Sequence, residues 1–124
     1  MGPGARQLLI ELAGCPPSVL SDADALGDAA AAAAGSLASP VVFKHVTATA
    51  KRSLMGIAVT EEVHVIVRAW PSEGVASADV MAPPSADLAP CVNHLLAALR
   101  PSHHLTLELG RGIRHSRSRD GRVE

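Results

Sequence analysis

Between Glu61 and Asp79 the chain reads EEVHVIVRAWPSEGVASAD, and most of its interior candidates for chemistry fall there: Glu61, Glu62, His64, Arg68, Trp70, Glu73 and Asp79. Residues two apart on a strand share a face. Val63, Val65, Val67 and Ala69 form a wholly apolar face, suited to packing on helices, while Glu62, His64, Ile66, Arg68 and Trp70 form the other. Two readings of the polar face stand side by side. It is a polar rim or dimer interface with satisfied ion pairs, because buried charges are normally paired. Or it lines a cleft in which Arg68 holds a carboxylate or phosphate, Trp70 stacks on a ring or cation, and His64 with Glu62 moves protons.

The elements that must position these residues follow from pattern. Gln7–Leu12 is short and apolar and reads as a strand. Gly14-Cys15-Pro16-Pro17 reads as a turn, with Ser21 as the N-cap of an alanine-rich helix from Asp22 to about Leu37. Val41–Ala48, Leu54–Thr60, Glu62–Ala69 and Val75–Met81 read as strands. A second helix starts at Ser85 or Asp87 and runs to about Leu99, with Leu88, Cys91, Val92, Leu95, Leu96 and Leu99 on one face. Pro90 falls in its first turn, where proline is tolerated. Leu105–Leu109 is a last strand. The order β-α-β-β-β-β-α-β implies an α/β (α+β) two-layer sandwich, a mostly antiparallel sheet with two helices on one face. The other face needs cover, so a homodimer is expected.

Composition sets further bounds. The 124 residues fit one domain, 1–113, followed by a basic, disordered tail at 114–124. Hydrophobic residues make up 48%, a globular composition, and aromatics only 2%, so aliphatic side chains must build the core. The net charge of -1 gives no prior for nucleic acid or a membrane as a partner, and a loose contact of the arginine-rich tail to nucleic acid or another anion is the alternative to a solvated tail. No aromatic is interleaved with the arginines of the tail to stack on bases. No apolar run spans a bilayer, no signal-peptide pattern opens the chain, and the two cysteines form no CxxC pair, which together point to a reduced, cytoplasmic protein. His94, His103 and His104 lack ligand spacing, so no metal is expected.

Two motifs carry a resemblance. Gly14-Cys15-x-Pro17-x-x-Leu20-x-Asp22 follows a first strand, and Glu62-x-His64 precedes Trp70-Pro71-x-x-Gly74-x-Ala76-x-x-Asp79-Val80. Together, in this order, they resemble the short prokaryotic S-adenosylmethionine decarboxylases, over about Ala5 to Ile113. The resemblance implies a precursor that cuts itself between a Glu and a Ser and leaves a pyruvoyl group, which forms a Schiff base with the substrate. A histidine assists processing and a cysteine donates a proton. This chain departs at all three places: Val63 stands at the serine position, Arg68 at the histidine and Pro83 at the cysteine. Valine carries no nucleophile, arginine stays protonated, and proline has no side-chain proton to give.

In the family the adenine lies between two aromatics. Trp70 matches one, and Phe43 is the candidate for the other. The ribose-binding Glu would follow Pro71, where Ser72 stands and Glu73 comes one residue late. The expectation is therefore a divergent homologue without pyruvoyl, without autocleavage and without another cofactor. It binds or transforms an adenosyl, amino-acid or other anionic small molecule through Trp70, Glu73, Arg68 and Phe43, with His64, Glu62 and Arg68 as the groups available for catalysis. The alternative is a non-catalytic pseudoenzyme or regulatory subunit in polyamine metabolism, as a homodimer or in a heteromer with a catalytic homologue. Secondary metabolism is the alternative setting.

Overall fold

Alternating side chains open the fold. Strand β1 (Ala5–Ala13) turns Leu8, Ile10 and Leu12 inward and leaves Gln7, Leu9 and Glu11 on the opposite side. The structure, a computed structural model, describes residues 4–37, 39–49 and 51–112. The expected tail at 114–124 lies outside the described residues.

Two prolines follow, and here the chain departs from the expected turn. Pro17 begins a four-residue helix, α1 (Pro17–Leu20). Its missing N–H costs nothing in a first turn, where that donor has no intrahelical partner. Ser21 is used up as the C-cap of α1, its N–H donating to the Pro17 carbonyl. The N-cap of the next helix is therefore Asp22, not Ser21. The Asp22 carboxylate accepts from the Ala25 amide at 3.1 Å.

Helix α2 (Ala23–Gly35) buries Leu26, Ala29, Ala30, Ala33 and Ala34. These small side chains let the helix lie close on the sheet. At Gly27 the approach is so tight that a Cβ would come within 2.7 Å of a Val46 methyl.

Strands β2 (Phe43–Ala48), β3 (Leu54–Val59), β4 (His64–Trp70) and β5 (Val75–Ala82) follow in sequence. Helix α3 (Ala89–Leu99) and strand β6 (His103–Arg111) complete the fold. Gly110 and Arg111, whose composition suits a tail, belong to β6. The six-stranded sheet has the order β2-β3-β4-β5-β1-β6, and every pairing is antiparallel. The two-layer α/β sandwich expected from the element order is the observed architecture.

The core lies between the sheet and α2 and α3. Val63, Val65, Val67 and Ala69 are buried there, with Ala76, Ala78, Val80 and Ala82 of β5 and Cys91, Leu95 and Leu99 of α3. Each fully buried Val or Leu contributes about 1.5–3 kcal/mol by leaving water. The sheet's other face carries Met55, Ile57, Val59, Ile66, Leu9 and Leu107 in register, and no described element covers it. Leu105 and Leu107 remain 71% and 58% exposed. Among the described residues no helix is long and apolar enough to cross a membrane.

Candidate functional site

Strand β4 carries the candidate residues in one line, as alternation requires. His64 lies between Val59 and Met81, Ile66 between Ile57 and Asp79, and Arg68 between Met55 and Ser77. Trp70 lies opposite Val75. The line is long, however. At about 3.4 Å per residue, His64 and Trp70 stand roughly 20 Å apart.

The Trp70 end is built by a turn. Trp70 precedes a single 3-10 turn, Pro71–Glu73, which Gly74 closes at φ 67°. Glu73 is exposed on that turn. Arg68 is also exposed, and its Nη2 lies 3.5 Å from the Met55 sulfur. The ion pairs among the described residues are Arg6–Glu108 and Lys44–Asp28, so Arg68 has no carboxylate partner there. Phe43 does not join Trp70. It starts β2 opposite Val59, and so lies near His64, stacked on His45 with ring centres 6.3 Å apart. An adenine sandwich between Phe43 and Trp70 does not form within one protomer.

The other end of β4 opens into a pocket of about 470 Å³ lined by Leu37, Glu62, Val63, Pro83, Pro84, Ser85 and Ala86. The register explains its position: pairing of His64 with Met81 sets residues 62–63 beside 82–83. Glu62 is the ionisable side chain of the lining. Thr60 fixes this end. It is buried, and its Oγ1 accepts from the Glu62 amide at 3.3 Å and from the Val63 amide at 3.0 Å. The Thr60 N–H donates to the Val63 carbonyl at 2.8 Å. Sequence reading passed over Thr60. Its only signal is a hydroxyl residue opening a tight hairpin, a position where side chains bond nearby amides.

A smaller pocket, about 280 Å³, lies beside Pro71 and Ser72, with Ser21, Ala48, Arg52, Ser53 and Leu54. On the open face, Gln7 donates to Asp79 at 2.9 Å and accepts from Arg111 at 2.6 Å. This chain of bonds ties β6, β1 and β5 together.

The cysteines face inward. Burial pushes the Cys91 thiol up to about 11 and raises that of Cys15. Neither lines the larger pocket, so neither replaces a donor at Pro83. Among the described residues no group of three or more His, Cys, Asp or Glu is placed to hold a metal.

The two sequence motifs meet in space. The Cys15 amide donates to the Gly74 carbonyl at 2.9 Å. An antiparallel sheet backed by two long helices, with a pocket at the edge where β4 begins and β5 ends, defines the class: a small α/β sandwich with a site at the strand ends. Residues 6–112 match the model of the S-adenosylmethionine decarboxylase family, and the chain belongs to that family.

Curated relatives agree. The S-adenosylmethionine decarboxylase proenzyme of Pyrococcus abyssi is 28% identical over 106 residues, 85% of this chain and 76% of the relative. That of Thermococcus onnurineus is 26% identical over the same length, 85% of this chain and 75% of the relative. The crystal structure of the adenosylmethionine decarboxylase of Aquifex aeolicus VF5 superposes with a TM-score of 0.78 at 15% identity, covering 96% of this chain and 99% of that one. At that identity the likeness speaks for the fold.

Val63, at the position that the resemblance gives to the serine from which a pyruvoyl group derives, has no hydroxyl and does not fit that group, and the hydroxyl in the pocket lining belongs to Ser85. The Val63 side chain is 5% exposed and belongs to the core.

Proposed function

We propose that this chain remains a single uncleaved polypeptide without a pyruvoyl group and uses the family's pocket to bind an adenosyl, amino-acid or other anionic small molecule. One observation carries this reading: Val63 and Pro83, two apolar residues at positions where the family's chemistry would need a hydroxyl and a thiol, line the same pocket beside Glu62. The cavity persists, and neither position carries the group that pyruvoyl chemistry would need there. Glu62 supplies an acceptor for an amine, and His64 stands at the same strand end.

The remaining ligand candidates, Arg68, Trp70 and Glu73, stand toward the far end of β4. A second copy stacked on the open sheet face with its strands reversed would bring its Trp70 end over this pocket. The binding site is then shared between copies, with an aromatic platform from one and the pocket from the other.

Calorimetry with S-adenosylmethionine, S-adenosylhomocysteine and free methionine tests the proposal. Binding of an adenosyl or amino-acid compound, with no release of carbon dioxide, is the expected result. Catalytic decarboxylation would overturn it. A second reading is a non-catalytic subunit that docks a catalytic homologue, as a cytoplasmic component of polyamine metabolism. The uncovered apolar face of Leu9, Ile57, Ile66 and Leu107 favours it. Co-purification with a homologue that carries the processing serine would support that reading.

A further inference from the structure

We propose that the smaller pocket, behind the Trp70 turn, is a second binding site, and that it takes a small organic anion with an oxyanion head and a short apolar body. Arg52 holds the head.

Register sets the pocket on the helix side of the sheet. Leu54 pairs with Ala69 on one side and Ala48 on the other, and Ala69 belongs to the buried face of β4. Leu54 and Ala48 therefore face the helices, while Trp70, one residue beyond Ala69, faces the opposite way with His64 and Arg68. Ser21, the C-cap of α1, and Pro71 and Ser72, on the turn that α1 packs against, complete the wall. The site is thus separate from the open face and from the pocket beside Glu62.

The lining divides by chemistry. Ala48, Leu54 and Pro71 offer an apolar surface, and Arg52 is the one charged side chain. Among the described residues neither ion pair includes Arg52. A guanidinium matches a carboxylate or a phosphate, and the exposed hydroxyls of Ser21 and Ser72 can donate to further oxygens of the same head. The Ser53 hydroxyl is engaged by Thr49 Oγ1 at 2.7 Å. At about 280 Å³ the cavity suits an occupant smaller than the drug-sized ligands that fill pockets of roughly 300–1,000 Å³.

The backbone singles out Arg52 as well. It sits at φ 64°, a left-handed conformation that glycine adopts freely and other residues adopt at a cost. Thr49 holds the turn in that shape. Its N–H donates to the Ser53 carbonyl at 2.8 Å, its carbonyl accepts from the Arg52 amide at 3.1 Å, and its Oγ1 accepts from the Lys51 and Ser53 amides, both at 3.2 Å. Glycine would make this turn without strain, so the turn alone gives no reason for an arginine. Strained residues held by their surroundings cluster where ligands are gripped.

Trp70 is the sole tryptophan and directly precedes Pro71, so its fluorescence reports on the pocket. The full chain is titrated with butyl phosphate, pentanoate and neutral pentanamide. A saturable change with at least one anion and none with pentanamide is expected, and the tighter anion identifies the head. Arg52→Gly should weaken that binding by about tenfold or more without lowering the urea midpoint, and Arg52→Lys should retain part of the affinity. No saturable response to either anion, an equal response to pentanamide, or unchanged affinity in Arg52→Gly would overturn the proposal. So would a lowered midpoint in Arg52→Gly, which would make the arginine a structural part of the turn. A response kept in Arg52→Gly and lost in Arg68→Ala would place the anion on the open face and equally overturn it.

Discussion

The amide of Cys15 donates to the carbonyl of Gly74 at 2.9 Å, joining two motifs far apart in the chain. The bond closes the end of the sheet where β1 leaves and β5 begins. It accounts physically for the pairing of Gly14-Cys15 with Trp70-Pro71-x-x-Gly74. Gly74 sits at φ 67°, and a Cβ there would lie 3.1 Å from the Cys15 carbonyl oxygen.

Gly74→Ala is therefore expected to destabilise the protein by about 1–2 kcal/mol, combining left-handed strain with a backbone contact that cannot swing away. Urea unfolding measures this as a lower midpoint with unchanged slope. An unchanged midpoint would contradict it.

Thr60 should matter through its hydroxyl and not its bulk. Thr60→Val leaves the Glu62 and Val63 amides without their acceptor and should cost about 1–3 kcal/mol. Thr60→Ser keeps the oxygen and should recover most of that loss. Chemical denaturation of the pair distinguishes the two roles, since a packing role would make Ser the worse substitution.

The buried thiols give a pH dependence with a definite sign. Burial raises Cys91 from its ordinary 9.0 to about 11, so the folded state binds more protons than the unfolded state between those values. Stability is then fully present below about pH 9 and falls as pH rises toward 11. Thermal melts from pH 8 to 10.5 should show a decline that Cys91→Ala shifts or removes. At pH 8 the folded protein should react slowly with thiol reagents and quickly once unfolded.

Much of this architecture is visible in the chain because burial alternates strictly. Val63, Val65, Val67 and Ala69 announce one face of β4, and Leu88, Cys91, Leu95 and Leu99 announce the buried stripe of α3. Local competition is harder to read. Ser21 and Asp22 are both good caps, and only the existence of α1, which takes Ser21 as its C-cap, decides between them. The layout of the site is hardest, because it depends on sheet order. Phe43 and Trp70 fall on the same sheet face, yet the register of β2 on β3 and of β3 on β4 sends Phe43 to the His64 end. No local pattern contains that information.

Trp70 gives a direct test of the ligand site. Trp70→Ala is expected to weaken binding of an adenosyl compound by about tenfold through lost stacking, as for other aromatic platforms, without changing the secondary structure. Calorimetry against the wild type measures it. Equal affinity would remove Trp70 from the site.

With Val63 where the family's processing needs a hydroxyl, the chain is expected to stay uncleaved. Intact mass spectrometry of the purified protein tests it most directly. A single species at the mass of the uncleaved chain is predicted. Two fragments divided between Glu62 and Val63, the second with a blocked N-terminus, would contradict it.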